Sequence, residues 1–255
     1  MFKNIAFLIT ALWLTDIPAF AQQPSITEIN EKFYRLDRDL QKEISFKVYI
    51  PEVAQLFAKL APKYLAEGED VVASQLQNLT VKIHYDLLSQ ESQFELSELD
   101  IAENEIEGLG QMKAGYLQAA EGAFVLIKEY FMTDFLDAPA NKTKIKDIEN
   151  GIQVSLEKEM QNDEISITQD YSSISVNSSM PDGTSIFAQI RTLQLDQWLF
   201  LEKINMATPN MTSTVNFQFE KTNGRYWPAS SRQSVKMGEM MNVQIDVNYL
   251  DWKGE

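Results

Sequence analysis

The sequence predicts an α+β protein built on a strongly bent antiparallel sheet. Three observations carry that expectation. From 152 to 253 the chain runs in stretches of alternating apolar and polar residues separated by turn signals. Apolar residues recur at helical spacing before residue 67, and again over one long segment from Gln111 to Leu136. Small side chains fall opposite large ones near the C-terminus, which suits a bent sheet with room inside it. One domain is expected over 22–255, with N-terminal helices at 22–67, a first hairpin at 76–100, a long helix at 110–137 and an antiparallel meander at 152–253.

The opening MFKNIAFLITALWLTDIPAFAQQ has Lys3, an apolar stretch from Ile5 to Leu14 and Ala19-Phe20-Ala21 before Gln22. This is the three-part form of a secretory signal over residues 1–21, cleaved near Ala21. Its apolar stretch is about half the length that a membrane helix needs. The expected location is periplasmic or secreted, without stable membrane insertion.

Ser25 followed by Glu28 reads as a capping box for a helix in SITEINEKFYRLDRDLQKEI, where Ile26, Ile29, Phe33, Leu36 and Leu40 share one face. Pro51 opens a second helix carrying Val53, Leu56, Phe57 and Leu60. Leu79, Val81, Ile83, Tyr85 and Leu87 then alternate as a strand, with its partner from about Gln93. In the long helix the stripe runs through Met112, Tyr116, Ala120, Phe124, Ile127 and Phe131, and Pro139 lies beyond its end. Turn signals at 161–163, 180–184, 208–210, 222–224 and 237–239 divide the meander into an expected six or seven strands.

Parity gives finer detail. A two-residue turn at Asn223-Gly224 pairs Glu220 with Trp227 and Phe219 with Pro228, which leaves Val235 and Met237 on the face opposite Phe217. One extra residue restores the match, and proline belongs at bulges and edges, so a bulge is expected at Trp227–Ala229. The next turn selects a three-residue loop of Gly238, Glu239 and Met240, pairing Met237 with Met241, Val235 with Val243, Gln233 with Ile245, Ser231 with Val247 and Ala229 with Tyr249.

The chemistry is sparse. The chain has no cysteine, which removes disulfides, thiolate metal sites, Cys nucleophiles and an acylated N-terminal cysteine. Its net charge of −15 disfavours nucleic acid and anionic membranes, which need clustered Lys and Arg. His84, the one histidine, is out of phase with Ile83 and Tyr85 and reads as a solvent-face strand residue. The acidic run from Glu95 to Glu107 matches no calcium loop and reads as solvated surface. No nucleophile motif appears, and no enzyme activity, cofactor or metal is expected. Met237, Met240 and Met241 gather at one turn, Met206 and Met211 at another; thioethers suit adaptable apolar binding surfaces as well as ordinary core.

The order of signal, helices, hairpin, long helix and strands resembles the bacterial lipoprotein-carrier (LolA/LolB-like) superfamily. The likeness is closest in WLFLEKINM, VNFQFEKTNGRYWPASSRQSVKM and VQIDVNYLDWK. It implies a half-open antiparallel sheet, an incomplete barrel with helices on or in its concave side, enclosing an apolar space for acyl chains.

The expected function is an exported carrier or binding protein for a lipid, a lipoprotein acyl chain or another apolar ligand. Phe217, Phe219, Ser231, Val243, Ile245, Val247 and Tyr249 would line the site. The alternative is a non-enzymatic interaction module with a filled core and a protein partner. A hydrolase has the least support, since little nucleophile or metal chemistry is visible; a catalytic carboxylate pair would show only in three dimensions.

Overall fold

The computed structural model describes residues 23–38, 40–60, 74–99, 108–137, 142–158, 161–238 and 241–255. The expected signal segment lies outside them, as do Pro139 and most of the acidic run. The fold is α+β. Twelve strands form one open antiparallel sheet in the order β3-β2-β1-β12-β11-β10-β9-β8-β7-β6-β5-β4. Among the described residues its two edges, β3 and β4, do not pair.

Helix α1, Ile26–Asn30, has the capping box: Glu28 N–H donates to Ser25 Oγ at 3.2 Å, and Ser25 N–H donates to Glu28 Oε2 at 2.6 Å. It stops after five residues, well short of the helix expected to reach Ile44. The backbone beyond it bonds to the sheet instead. Tyr34 N–H donates to the Leu199 carbonyl at 2.8 Å, and Leu199 N–H donates to the Lys32 carbonyl at 2.9 Å. Ile29, Phe33 and Leu36 are all buried, so their spacing marks real core contacts made by a winding segment.

A strand, β1 (Glu43–Tyr49), then occupies the middle of the span read as helical. Its signal is the alternation of Ile44, Phe46 and Val48, all buried, which the helical reading ran past. Helix α2, Pro51–Leu60, follows with proline in its first turn. The hairpin is β2 (Val81–Asp86) and β3 (Ser92–Leu96), paired Val81 with Leu96 and Tyr85 with Ser92.

Helix α3, Leu109–Phe131, joins one sheet edge to the other and buries Tyr116, Ala120, Ala123, Phe124, Ile127 and Phe131. Phe124 meets Phe46, Tyr85 and Phe94; Phe131 meets Phe217 and Phe219. The helix therefore lies on the sheet face to which these residues point, called the inner face below. The Tyr116 hydroxyl ties three elements together, accepting from Ile50 N–H at 2.9 Å and donating to the Leu79 carbonyl at 2.6 Å. Burial pushes its phenol up to about 12.

The meander is β4 (Thr143–Ile148), β5 (Gly151–Glu157), β6 (Asn162–Thr168), β7 (Ser173–Ser179), β8 (Ser185–Leu195), β9 (Trp198–Thr208), β10 (Met211–Thr222), β11 (Arg225–Met237) and β12 (Met241–Gly254). Eight of these fill the span expected to hold six or seven. The two turns missed lack both Gly and Pro: Gln169–Ser172 and Asp196-Gln197, with Tyr171 and Asp196 at φ of 60° and 51°.

The bulge falls where parity requires. Phe219 pairs with Pro228 and Gln218 with Ser230, so Ala229 is the extra residue. The loop after Met237 has three residues, with Met237 opposite Met241 and Ser231 opposite Val247. The expected pairing of Ala229 with Tyr249 does not form: the β11–β12 ladder ends at Ser230 and Asn248, next to the residue that bulges out of the β10–β11 ladder. On the other side of β12, Tyr249 pairs with Val48 of β1.

Candidate functional site

Register places the inner-face residues in rows across the meander. One row runs Ile145, Val154, Ile165, Val176, Ala188, Met206, Ser213, Val235 and Val243, each directly opposite the next. A second runs Ile152, Ile167, Ile174, Ile190, Ile204, Val215, Gln233 and Ile245. Such a face is apolar over many strands, and Ser213 stands out in it. Its hydroxyl is buried without a hydrogen-bond partner. Unpaired buried polar groups are uncommon and costly.

The residues expected to line a ligand divide into two sets. Toward α3 the space is filled. Phe217 sets its ring edge-on to Phe131 at 4.9 Å, Phe219 packs on Phe200 at 4.7 Å, and Tyr249 meets Phe46 at 6.0 Å. Ser231 is 2% exposed, and its hydroxyl lies 2.9 Å from that of Tyr249. The small side chain that suggested free volume therefore makes room for a tyrosine hydroxyl. Burial raises the Tyr249 phenol well above its ordinary value, with the Ser231 bond offsetting part of the effect. Val247 is buried beside this pair. Toward the other end the face opens: Ile245 is half-buried and Val243 is 37% exposed.

No protein-family model, curated protein or solved structure matches this chain.

Methionine marks the open end. Successive hairpin turns of a meander alternate between the two ends of the sheet. Met180 in the β7–β8 turn, Met206 and Met211 flanking the β9–β10 turn, and Met237 and Met241 flanking the β11–β12 turn all fall at one end. The opposite turns, at 149–150, 169–172, 196–197 and 223–224, contain none. Met237 stands opposite both Met211 and Met241 in the register and is 42% exposed. In the sequence Met206 and Met211 form one group and Met237, Met240 and Met241 another; strand order brings Met206, Met211, Met237 and Met241, together with Met180, to one end.

A polar cluster borders the same end on β6 and β7. Buried Asp163 accepts from Gln161 Nε2, which also donates to Ser178 Oγ at 3.2 Å, and Lys158 Nζ lies 3.2 Å from the carboxylate. Burial favours the neutral acid, but hydrogen bonds from Ser178, Gln161 and Lys158 outweigh it and hold the carboxyl below its usual range. Cavities of about 310 to 650 Å³ lie away from the inner-face residues expected to bind ligand. Among the described residues no group of His, Asp and Glu could hold a metal ion, and no helix is long and apolar enough to cross a membrane. His84, half-buried, faces away from Ile83 and Tyr85 and pairs with Ser45 and Gln93.

Proposed function

We propose that this chain is an exported, non-catalytic carrier of an apolar ligand, such as a lipid or a lipoprotein acyl chain, and a distant member of the lipoprotein-carrier superfamily. In this reading the sheet is a half-open barrel with α3 in its concave side, and the ligand enters at the methionine-bearing end. The observation that carries it is the gathering of Met180, Met206, Met211, Met237 and Met241 at one end of an apolar face, with Met237 and Val243 exposed there. Thioether side chains have several rotatable bonds and repack around differing apolar shapes at low cost. Ser213, two strand positions inside that end, offers an unspent hydroxyl to a ligand carbonyl.

The exported protein takes up a fluorescent fatty acyl probe if this is right, and Met237→Lys with Val243→Lys lowers its affinity about tenfold. A probe bound equally by wild type and the double variant overturns the reading. A second reading, an interaction module with a filled core, draws on the packing of Phe217, Ser231 and Tyr249. It expects no probe uptake at all.

A further inference from the structure

At the end of the sheet opposite the methionines lies a cleft of about 370 Å³ with a different character. The segment between α1 and β1 supplies Tyr34, Arg35 and Arg38, and two hairpin turns supply Asp196, Trp198, Arg225 and Tyr226. Three arginines at one cleft are conspicuous in a chain of net charge −15.

Their partners separate them. Arg35 is neutralised by Asp37, with bonds of 3.0 and 2.6 Å, and by Asp134. Among the described residues Arg38 has no such partner: its guanidinium lies over the Trp198 ring at 4.2 Å and donates to the carbonyls of Phe33 and Glu31, at 3.3 and 3.4 Å. Arg225 donates to the carbonyls of Leu36 and of Arg38 itself, at 2.9 and 3.0 Å, which holds the two arginines on one cleft. Among the described residues neither forms an ion pair. Asp196, the one carboxylate lining the cleft among the described residues, is engaged by Lys221 Nζ at 2.6 Å and the Tyr226 hydroxyl at 3.0 Å.

Carbonyl oxygens position a guanidinium without cancelling its charge, so Arg38 and Arg225 keep positive charge and unspent N–H donors. Trp198, Tyr34 and Tyr226 add flat apolar surface beside them. The volume is that of a small-molecule site. We propose that this cleft binds a small ring-bearing organic anion, its carboxylate or phosphate held by Arg38 and Arg225 and its ring against the aromatic wall of Tyr34, Trp198 and Tyr226. Paired N–H donors of a guanidinium match either oxyanion, and the chemistry is the same whether the group is a carboxylate or a phosphate ester.

Titration calorimetry on the whole exported protein tests this with benzoate, phenyl phosphate, inorganic phosphate and neutral benzyl alcohol. Benzoate or phenyl phosphate should bind with a dissociation constant below about 1 mM, and benzyl alcohol about tenfold more weakly or worse. Whichever anion binds more tightly identifies the group. Arg38→Gln, which loses two long carbonyl bonds and the contact with the Trp198 ring, should cut anion affinity about tenfold, while Arg232→Gln, far from the cleft, should not. If Arg38→Gln fails to fold, the wild-type indole N–H resonances decide: benzoate should shift that of Trp198 saturably and leave Trp252 unmoved. Absence of saturable binding by either ring-bearing anion, equal binding by Arg38→Gln, or equal affinity for inorganic phosphate and phenyl phosphate overturns the proposal.

Discussion

Ser231 and Tyr249 join hydroxyl to hydroxyl at 2.9 Å between β11 and β12, in an interior that excludes water from both. Each satisfies the other, and neither has another hydrogen-bond partner among the described residues. Tyr249→Phe should cost about 1–2 kcal/mol in urea unfolding by stranding the serine hydroxyl, and adding Ser231→Ala should recover part of the loss. Ser231→Phe should cost about 1–3 kcal/mol through overpacking against Phe217 and Val247.

Alkaline pH should destabilise the fold through Tyr116 and Tyr249. Burial raises both phenols above the ordinary value of 10.0. Below pH 10 both are protonated whether folded or unfolded, and the advantage of the buried neutral form is complete. As pH rises past 10 the unfolded chain loses those protons first, so stability falls. The unfolding midpoint should decline from about pH 10 upward, and Tyr249→Phe should flatten that decline.

Acid acts through Asp163 in the opposite sense. Its carboxyl is held below 3.8 in the folded protein, so its contribution is present above that pH and disappears as pH falls through the folded value. Asp163→Asn should unfold more readily than wild type at pH 7, and the two melting temperatures should converge as pH falls below 3.8 and through the folded value.

Gly151, at φ 153°, leaves no space for a side chain: a Cβ there would sit 1.9 Å from the Ile167 carbonyl oxygen. Gly151→Ala should cost more than about 2 kcal/mol, because backbone must move on one of two paired strands. A cost near zero would show that the β5–β6 register relaxes freely.

Deleting Ala229 should be tolerated far better than adding a residue beside it. Without Ala229 the hairpin pairs regularly, Phe219 with Pro228, Gln218 with Ser230 and Phe217 with Ser231, so every later residue keeps its face. The deletion should retain the near-ultraviolet circular dichroism of the folded state, while one alanine inserted after Ser230, which brings Arg232 opposite Val215 on the inner face, should abolish it.

Turn chemistry and strand parity were legible in the chain where Gly, Pro or Asn supplied them. The Ala229 bulge and the three-residue loop after Met237 followed from which apolar residues had to share a face. The turns at Tyr171 and Asp196 were silent, because ordinary residues adopt positive φ there under tertiary constraint. β1 was hidden by its flanks, since Leu36 and Leu40 continue a helical spacing straight into Ile44. The candidate site was half legible: alternation identified its face, but not that Phe131 and the Ser231–Tyr249 bond fill its inner end.

The pairing of β1 with β12 also sets a timetable. Ile44 stands opposite Gly254, about 200 residues later in the chain, and Gln41 N–H donates to the Glu255 carbonyl. On the ribosome the hairpin β2–β3 and the strands from β4 onward can each pair with neighbours as they emerge, but β1 gains its second partner only when synthesis reaches β12. Contacts so distant in sequence carry a large loop-closure cost and slow folding. A nascent chain stalled before β12 should therefore hold two separate, incomplete sheets and stay sensitive to protease long after most of its strands exist.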